Sequence, residues 1–141
     1  MNPTKLVLRN MRILHAVFLF TQFQFLLVLH LSNPVGTGVP PTVVLAFAVV
    51  AVADLNVALF FRRRDVKASE EKLRITPNDG AAIRQWRTGT ITSFVFAEAI
   101  SLFGFLLKFL GAEWKFAGPF FAFAVLLLLL WVPRLDVPKA A

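Results

Sequence analysis

The chain of 141 residues contains no cysteine, no tyrosine and only two histidines. Without cysteine there is no disulfide, no thiolate metal site, no iron–sulfur cluster and no cysteine nucleophile. With two histidines a zinc site would rest almost wholly on carboxylates, a poor donor set for that ion. Charge is scarce too: 16% of residues are charged and 57% are hydrophobic, where a soluble domain carries about 25% and about 45–50%. That apolar excess does not fit one globular core, and it excludes both a soluble enzyme and a disordered chain. There is no glycine-rich phosphate loop, no HExxH and no Ser–His–acid set with an interior histidine. The expectation is a chain with no enzymatic activity of its own and no metal site.

What is present is apolar residues in four blocks, at 13–31, 43–61, 90–110 and 116–132. At the α-helical rise, blocks of this length cover about 25–32 Å, one crossing of a bilayer's hydrocarbon core each. Nothing alternates at period two, and backbone groups in lipid must be paired internally, so the blocks read as helices. Residues 1–40 read as a true first span rather than a cleaved leader, because the apolar stretch is long and lacks a small-x-small cleavage site. The predicted organisation is an N-terminal segment 1–12, an outer hairpin 32–42, a basic connection 62–89, an outer loop 111–115 and a tail 133–141. Within the connection, residues 67–74 read as a short surface helix, with Glu70 and Arg74 at i,i+4 spacing. Thr76-Pro77-Asn78-Asp79-Gly80 then breaks it, and from Ala81 the chain can run helically into the third span. Pro119 is placed in the first turn of the fourth span, where a missing amide hydrogen costs little, and Pro133 ends it.

Thirteen cations (Lys5, Arg9, Arg12, Arg62, Arg63, Arg64, Lys67, Lys72, Arg74, Arg84, Arg87, Arg134 and Lys139) fall on one side of these spans, and only Lys108 and Lys115 on the other. The positive-inside rule then puts both termini in the cytoplasm. Trp86 and Trp131 mark the inner boundary and Trp114 the outer one, as an aromatic belt requires. The net charge of +7 is thereby read as topology rather than nucleic-acid binding. Arg62-Arg63-Arg64 reads as an anchor that touches anionic headgroups. The expected fold is an all-α integral membrane four-helix bundle, multi-pass, in a bacterial inner membrane.

Polar residues inside the blocks are the candidates for function, since a carboxylate in hydrocarbon is costly to keep. Asp54 stands eight residues before Arg62, Glu98 eleven after Arg87 and Gln22 ten after Arg12. At the helical rise these lie about 12, 16 and 15 Å from the inner boundary, so three helices bring polar groups to one layer. Asn56, Ser93 and Ser101 lie close to it. The expectation is a polar cluster around Asp54 and Glu98 with Gln22 or Gln24 as hydrogen-bonding partners. No Lys or Arg lies within the inner part of the spans to neutralise two acids. The cluster therefore shares a proton, binds a cation or meets a positive group from another chain, or its members serve only as interhelical hydrogen bonds. On the third span Ser93, Ala97, Ser101 and Gly104 form a stripe of small residues that admits a close neighbour. Ala46, Val50, Asp54 and Ala58 form a similar row on the second, and the two are expected to pack together. The fourth span, with no polar residue between Pro119 and Pro133, is expected to face lipid or an apolar partner. His15 and His30, on one helix, are candidates for haem or chlorophyll ligation, with interfacial placement as the alternative.

The run Phe96-Ala97-Glu98-Ala99-Ile100-Ser101-Leu102-Phe103-Gly104-Phe105-Leu106-Leu107 resembles the carboxylate helix of the rotary ATPase proteolipids, the c-type subunits. Glu98-Ala99 and Gly104 match the family's Glu-Ala with Gly six residues on. The resemblance is local, and it implies that Glu98 is a proton or sodium site. Three functional readings follow from the whole sequence. The first is a small non-enzymatic accessory or structural subunit packing in a larger membrane complex, favoured because four short helices enclose little room for a substrate path. The second is proton or cation binding through Glu98 and Asp54 in an oligomer, and the third is pigment or haem ligation. The expected partners are the lipid bilayer and either other membrane subunits or further copies of the chain, with no nucleic acid.

Overall fold

The computed structural model describes residues 3–32, 34 and 36–135; Lys139 and the rest of the tail lie outside the described residues. Among these the chain is all-helical: α1 (Pro3–Ser32), α2 (Pro41–Phe61), a π-helical segment (Arg62–Lys67), α3 (Ala68–Ile75), α4 (Gly80–Phe109) and α5 (Trp114–Leu130). α2, the π segment and α3 form one continuous rod of 35 residues, Pro41–Ile75. The rod and α1 and α4 are long and apolar enough to cross a membrane, and α5 is a shorter apolar helix of 17 residues.

The basic connection is thus helical almost throughout. No Gly or Pro occurs between Thr42 and Thr76, so nothing stops α2 at Phe61 and the chain stays helical until the residue before Pro77. α1 likewise begins at Pro3, where proline suits the first helical position, so the N-terminal segment is helix as well. Asp79 caps α4, its Oδ1 accepting from the amides of Ala81 at 2.8 Å and Ala82 at 3.2 Å. α1 and α4 span about 45 Å and the rod about 52 Å at the helical rise, so all three extend past α5, which covers about 25 Å. α5 starts and stops two residues before the expected bounds. Pro119 therefore sits in its second turn, not its first, and the carbonyl of exposed Lys115 forgoes its helical partner.

α4 is the shared helix: α1, the rod and α5 all pack on it. Three core layers stack along it. At the end holding the chain start and the α3–α4 turn, Met11, Val66, Leu73, Ala82 and Trp86 close together, and Thr4 donates from Oγ1 to the Pro77 carbonyl at 2.9 Å. The middle layer holds Ala58, Phe94, Ala97, Ile100, Ala124 and Leu128. The third holds Leu107, Ala112 and Ala117. There α4 ends in a Schellman turn. Gly111 at φ +98 takes the left-handed position, its amide bonding to Lys108 and that of Ala112 to Leu107.

The stripe Ser93, Ala97, Ser101 and Gly104 is buried, but it receives α5 more than α2. A Cβ on Gly104 would lie 2.9 Å from the Ala117 carbonyl oxygen and 2.9 Å from Phe120 Cβ. α5 accordingly buries Ala117, Phe121, Ala124, Leu127 and Leu128 and exposes Leu126, Leu129 and Leu130. On α2 only Ala58 of the expected row is buried, while Ala46 and Val50 are exposed. The reason is geometric: an i,i+4 row slips about 40° per step around a 3.6-residue helix. α2 instead meets α4 through Phe47 against Phe103 and Phe61 stacked on Phe96.

The π segment sits where the rod crosses Gly89 of α4. A Cβ there would lie 2.7 Å from Asp65 Cβ and 3.0 Å from Val66 Cγ2. Asp65 is buried at this crossing, bonded by Arg64 Nε and Nη2 and by Gln85 Nε2. The Arg64 hydrogen bonds hold its carboxyl below the usual carboxylate range, against the opposing effect of burial.

Three glycine-to-alanine variants test this packing. An alanine gains up to about 1 kcal/mol of helix propensity in a helix interior, whereas overpacking costs about 1–3 kcal/mol. Gly89→Ala and Gly104→Ala are expected to lower thermal stability in detergent. Gly118→Ala, with open space around its Cβ position, is expected to leave it unchanged or raise it.

Candidate functional site

Of the expected polar layer, the structure joins two residues, Gln22 and Glu98. Gln22 on α1 is 2% exposed, and its Nε2 donates to Glu98 Oε2 on α4 at 2.5 Å. The helices align here through aromatic pairs on either side of the bond, Phe18 with Phe94 and Phe25 with Phe105. Gln22 Oε1 and Glu98 Oε1 are buried and have no hydrogen-bond partner. The pair thus keeps two buried acceptor oxygens for which the described residues supply no donor.

The remaining candidates divide. Asp54 on α2 is half-buried, and its Oδ2 is also buried without a partner. Among the described residues it makes no hydrogen bond to Glu98 or Gln22, and the two ion pairs are Arg64–Asp65 and Lys115–Glu113. α1 and α2 flank α4 on opposite sides: Glu98 and Phe105 meet α1, while Phe96 and Phe103 meet α2. Asp54, seven residues from both Phe47 and Phe61, faces α4 from the α2 side. Between them Val95, Leu102 and Leu106 leave an exposed apolar stripe. The two acids thus border one open strip of α4 without touching.

Gln24 is exposed, and so is Asn56, which bonds back to the Val52 carbonyl at 2.8 Å. Gln24 lies two residues, about 200° of helix, from Gln22, so only one glutamine can face α4. Ser101 donates to the backbone carbonyl of Glu98 at 2.9 Å, not to its carboxylate. Ser93 donates to Gly89 and Thr90 to Trp86. Such back-bonding satisfies each hydroxyl within its own helix, so these residues act as small packing surfaces.

His15 is buried, with Nε2 2.7 Å from the carbonyl oxygen of Leu128 and its ring 5.2 Å from that of Phe94. A carbonyl only accepts, so Nε2 carries the hydrogen and donates. Leu128 lies in the last turn of α5, where carbonyls lose their helical partners. His15 therefore ties α1 to the end of α5, and the bond withholds Nε2 from a haem iron or chlorophyll magnesium. His30 is exposed in the last turn of α1. Among the described residues no three His, Asp or Glu side chains converge on a metal position.

The His15 bond depends on where α5 ends: Pro133, two residues past Trp131, signals that end in the sequence, but nothing local shows which side chain meets its free carbonyl. Comparison with known protein families, curated proteins and solved structures finds no match.

The Gln22–Glu98 contact is measurable. Interhelical hydrogen bonds in membranes average about 0.6 kcal/mol and reach about 1.7 kcal/mol. A double-mutant cycle of Gln22→Leu with Glu98→Leu is expected to show coupling in that range by reversible unfolding in mixed micelles. Gln24→Leu with Glu98→Leu is expected to be additive.

Proposed function

We propose that the chain is a four-span membrane protein with both termini cytoplasmic, in which Glu98 takes up a proton or a small monovalent cation against Gln22. One observation carries this reading: a half-buried carboxylate and a buried amide, joined by a single hydrogen bond between α1 and α4, each keep a buried acceptor oxygen with no donor among the described residues. A charge left this way in hydrocarbon is costly. A proton on the carboxyl removes the charge and provides a donor; a cation between the two oxygens compensates it. The similarity of the Glu98 helix to the proteolipid carboxylate helix supports the same chemistry. The positive end of the bundle, where Thr4 meets the α3–α4 turn, is the cytoplasmic end under the positive-inside rule. A bacterial inner membrane accommodates this arrangement.

α1, the rod and α5 pack around α4, and exchange at Glu98 runs along the open strip between α1 and α2, covered by a further copy or another subunit. Asp54 favours a second reading from the same strip. The half-buried Asp54 carboxylate beside the exposed Val95, Leu102 and Leu106 gives an acidic, apolar face on which a partner helix of a larger membrane complex docks. The chain is then an accessory subunit without catalysis. Ligation of haem or chlorophyll is supported less, because His15 spends Nε2 on Leu128.

Flux in proteoliposomes decides between them. Under the first reading the wild-type protein carries a proton or sodium current, told apart by imposing one gradient at a time, and Glu98→Gln abolishes it with helicity unchanged. Wild-type flux in that variant ends the first reading. An inert wild type that elutes with unrelated subunits after gentle extraction establishes the second, and a colourless native preparation disposes of pigment binding.

A further inference from the structure

Arg62 opens the π segment at the level where the apolar middle core gives way to the basic end of the bundle. Its guanidinium lies 5.1 Å above the Trp131 ring, and the side chain is half-buried. Stacking of this kind fixes the plane of an arginine while leaving its N–H edge free. No carboxylate lies within ion-pair distance of Arg62 among the described residues, and no hydrogen bond holds it there. Its neighbour differs: Arg64 is engaged by Asp65 and by the rings of Phe60 and Phe61.

Beside Arg62 is a recess of about 10 Å³ lined in part by Glu70, Trp86, Thr90, Trp131 and Arg134. That is room for about one oxygen atom. Thr90 and Trp86 in the wall are occupied. Thr90 Oγ1 donates to the Trp86 carbonyl at 2.8 Å, and Trp86 Nε1 donates to Glu70 Oε1 at 3.4 Å. Two guanidinium groups against one carboxylate leave one positive charge, the complement of a single phosphodiester. Burial lowers the Arg62 pKa from its ordinary value and the charge of Glu70 partly restores it, so an added anion stabilises the protonated side chain. Two tryptophans at this level match the headgroup region of a leaflet.

We propose that Arg62, stacked on Trp131 and backed by Arg134, binds the phosphodiester of a phospholipid headgroup, one non-bridging oxygen entering the recess while the acyl chains stay in the leaflet. The site rests on the membrane reading above but is independent of Glu98. Basic recesses between helices on the cytoplasmic side are a recurrent setting for anionic headgroups, and the paired N–H groups of arginine suit phosphate oxygens.

The full chain is purified in mild detergent, stripped of lipid, and titrated with phosphatidylglycerol, phosphatidylcholine or inorganic phosphate, with binding read by native mass spectrometry and thermal shift. Wild type is expected to bind one phospholipid per chain, and inorganic phosphate far more weakly. Arg62→Gln is expected to weaken lipid binding by about tenfold or more, the loss of one charge-assisted contact. Arg62→Lys, which keeps the charge and packing stem, is expected to fall between, and Arg63→Gln to bind as wild type. Equal losses in Arg62→Gln and Arg63→Gln would mean diffuse surface charge and overturn the site, as would undiminished binding in Arg62→Gln or Arg62→Lys. Phosphate matching the lipids would assign the recess to a free anion and overturn the lipid. Resistance of the protein to alkaline extraction from membranes is scored separately, so failure of the membrane reading is told apart from failure of the site.

Discussion

Everything in this molecule leans on the side of α4 that carries almost no side-chain volume. Gly89, Ser93, Ala97, Ser101 and Gly104 are buried along one flank, and their smallness sets how near the other helices come. At Gly104 the α5 backbone and Phe120 stand where a Cβ would be, and at Gly89 the rod does the same with Asp65 and Val66. Under the membrane reading proposed above, apolar side chains gain little from meeting each other, and close packing and interhelical hydrogen bonds supply the cohesion. The hydroxyls on this flank bond within α4 itself, which lets them be buried without a partner helix to satisfy them.

The polar site follows from that packing. With α5 and the rod drawn onto the small flank, α1 is left to close on the adjoining side of α4, where Gln22 meets Glu98. His15, seven residues before Gln22 on the same helix, fastens α1 to the end of α5. The two bonds lock α1 in register about two turns apart. The same register leaves Asp54 across the α4 surface from Glu98, so the two acids border a shared strip rather than forming a carboxyl pair. A single acid with one amide donor is a simpler unit than a dyad, and its buried oxygen without a donor is what supports the proton or cation reading proposed above.

Much of this was legible in the residues. The helical class, three of the long apolar helices, the small stripe on α4 and the polar layer containing Gln22 and Glu98 all follow from hydropathy, helical rise and residue size. Other features are present in the sequence but point two ways. The polarity after Phe61 suggests a connection, although the stretch to Ile75 holds no residue that ends a helix. Pro119 has the look of a start signal but sits one turn inside α5. The row Ala46, Val50, Asp54 and Ala58 suggests a straight ladder, whereas helical slip carries its first half to the outside. A third group was beyond local reasoning: the choice of Gln22 over Gln24, the π segment opposite Gly89, the His15 bond and the stacking of Arg62 on Trp131 all depend on how distant segments meet.

The central contact joins the Gln22 amide to the Glu98 carboxyl. Solid-state NMR on isotope-labelled protein in lipid bilayers reads it directly, through transfer between the Gln22 side-chain nitrogen and the Glu98 carboxyl carbon and through transfer from water to that carbon. A strong Gln22–Glu98 cross-peak with no water transfer is the expected result, in keeping with the 2.5 Å hydrogen bond. A Glu98 carboxyl in contact with water and without a Gln22 cross-peak would contradict it.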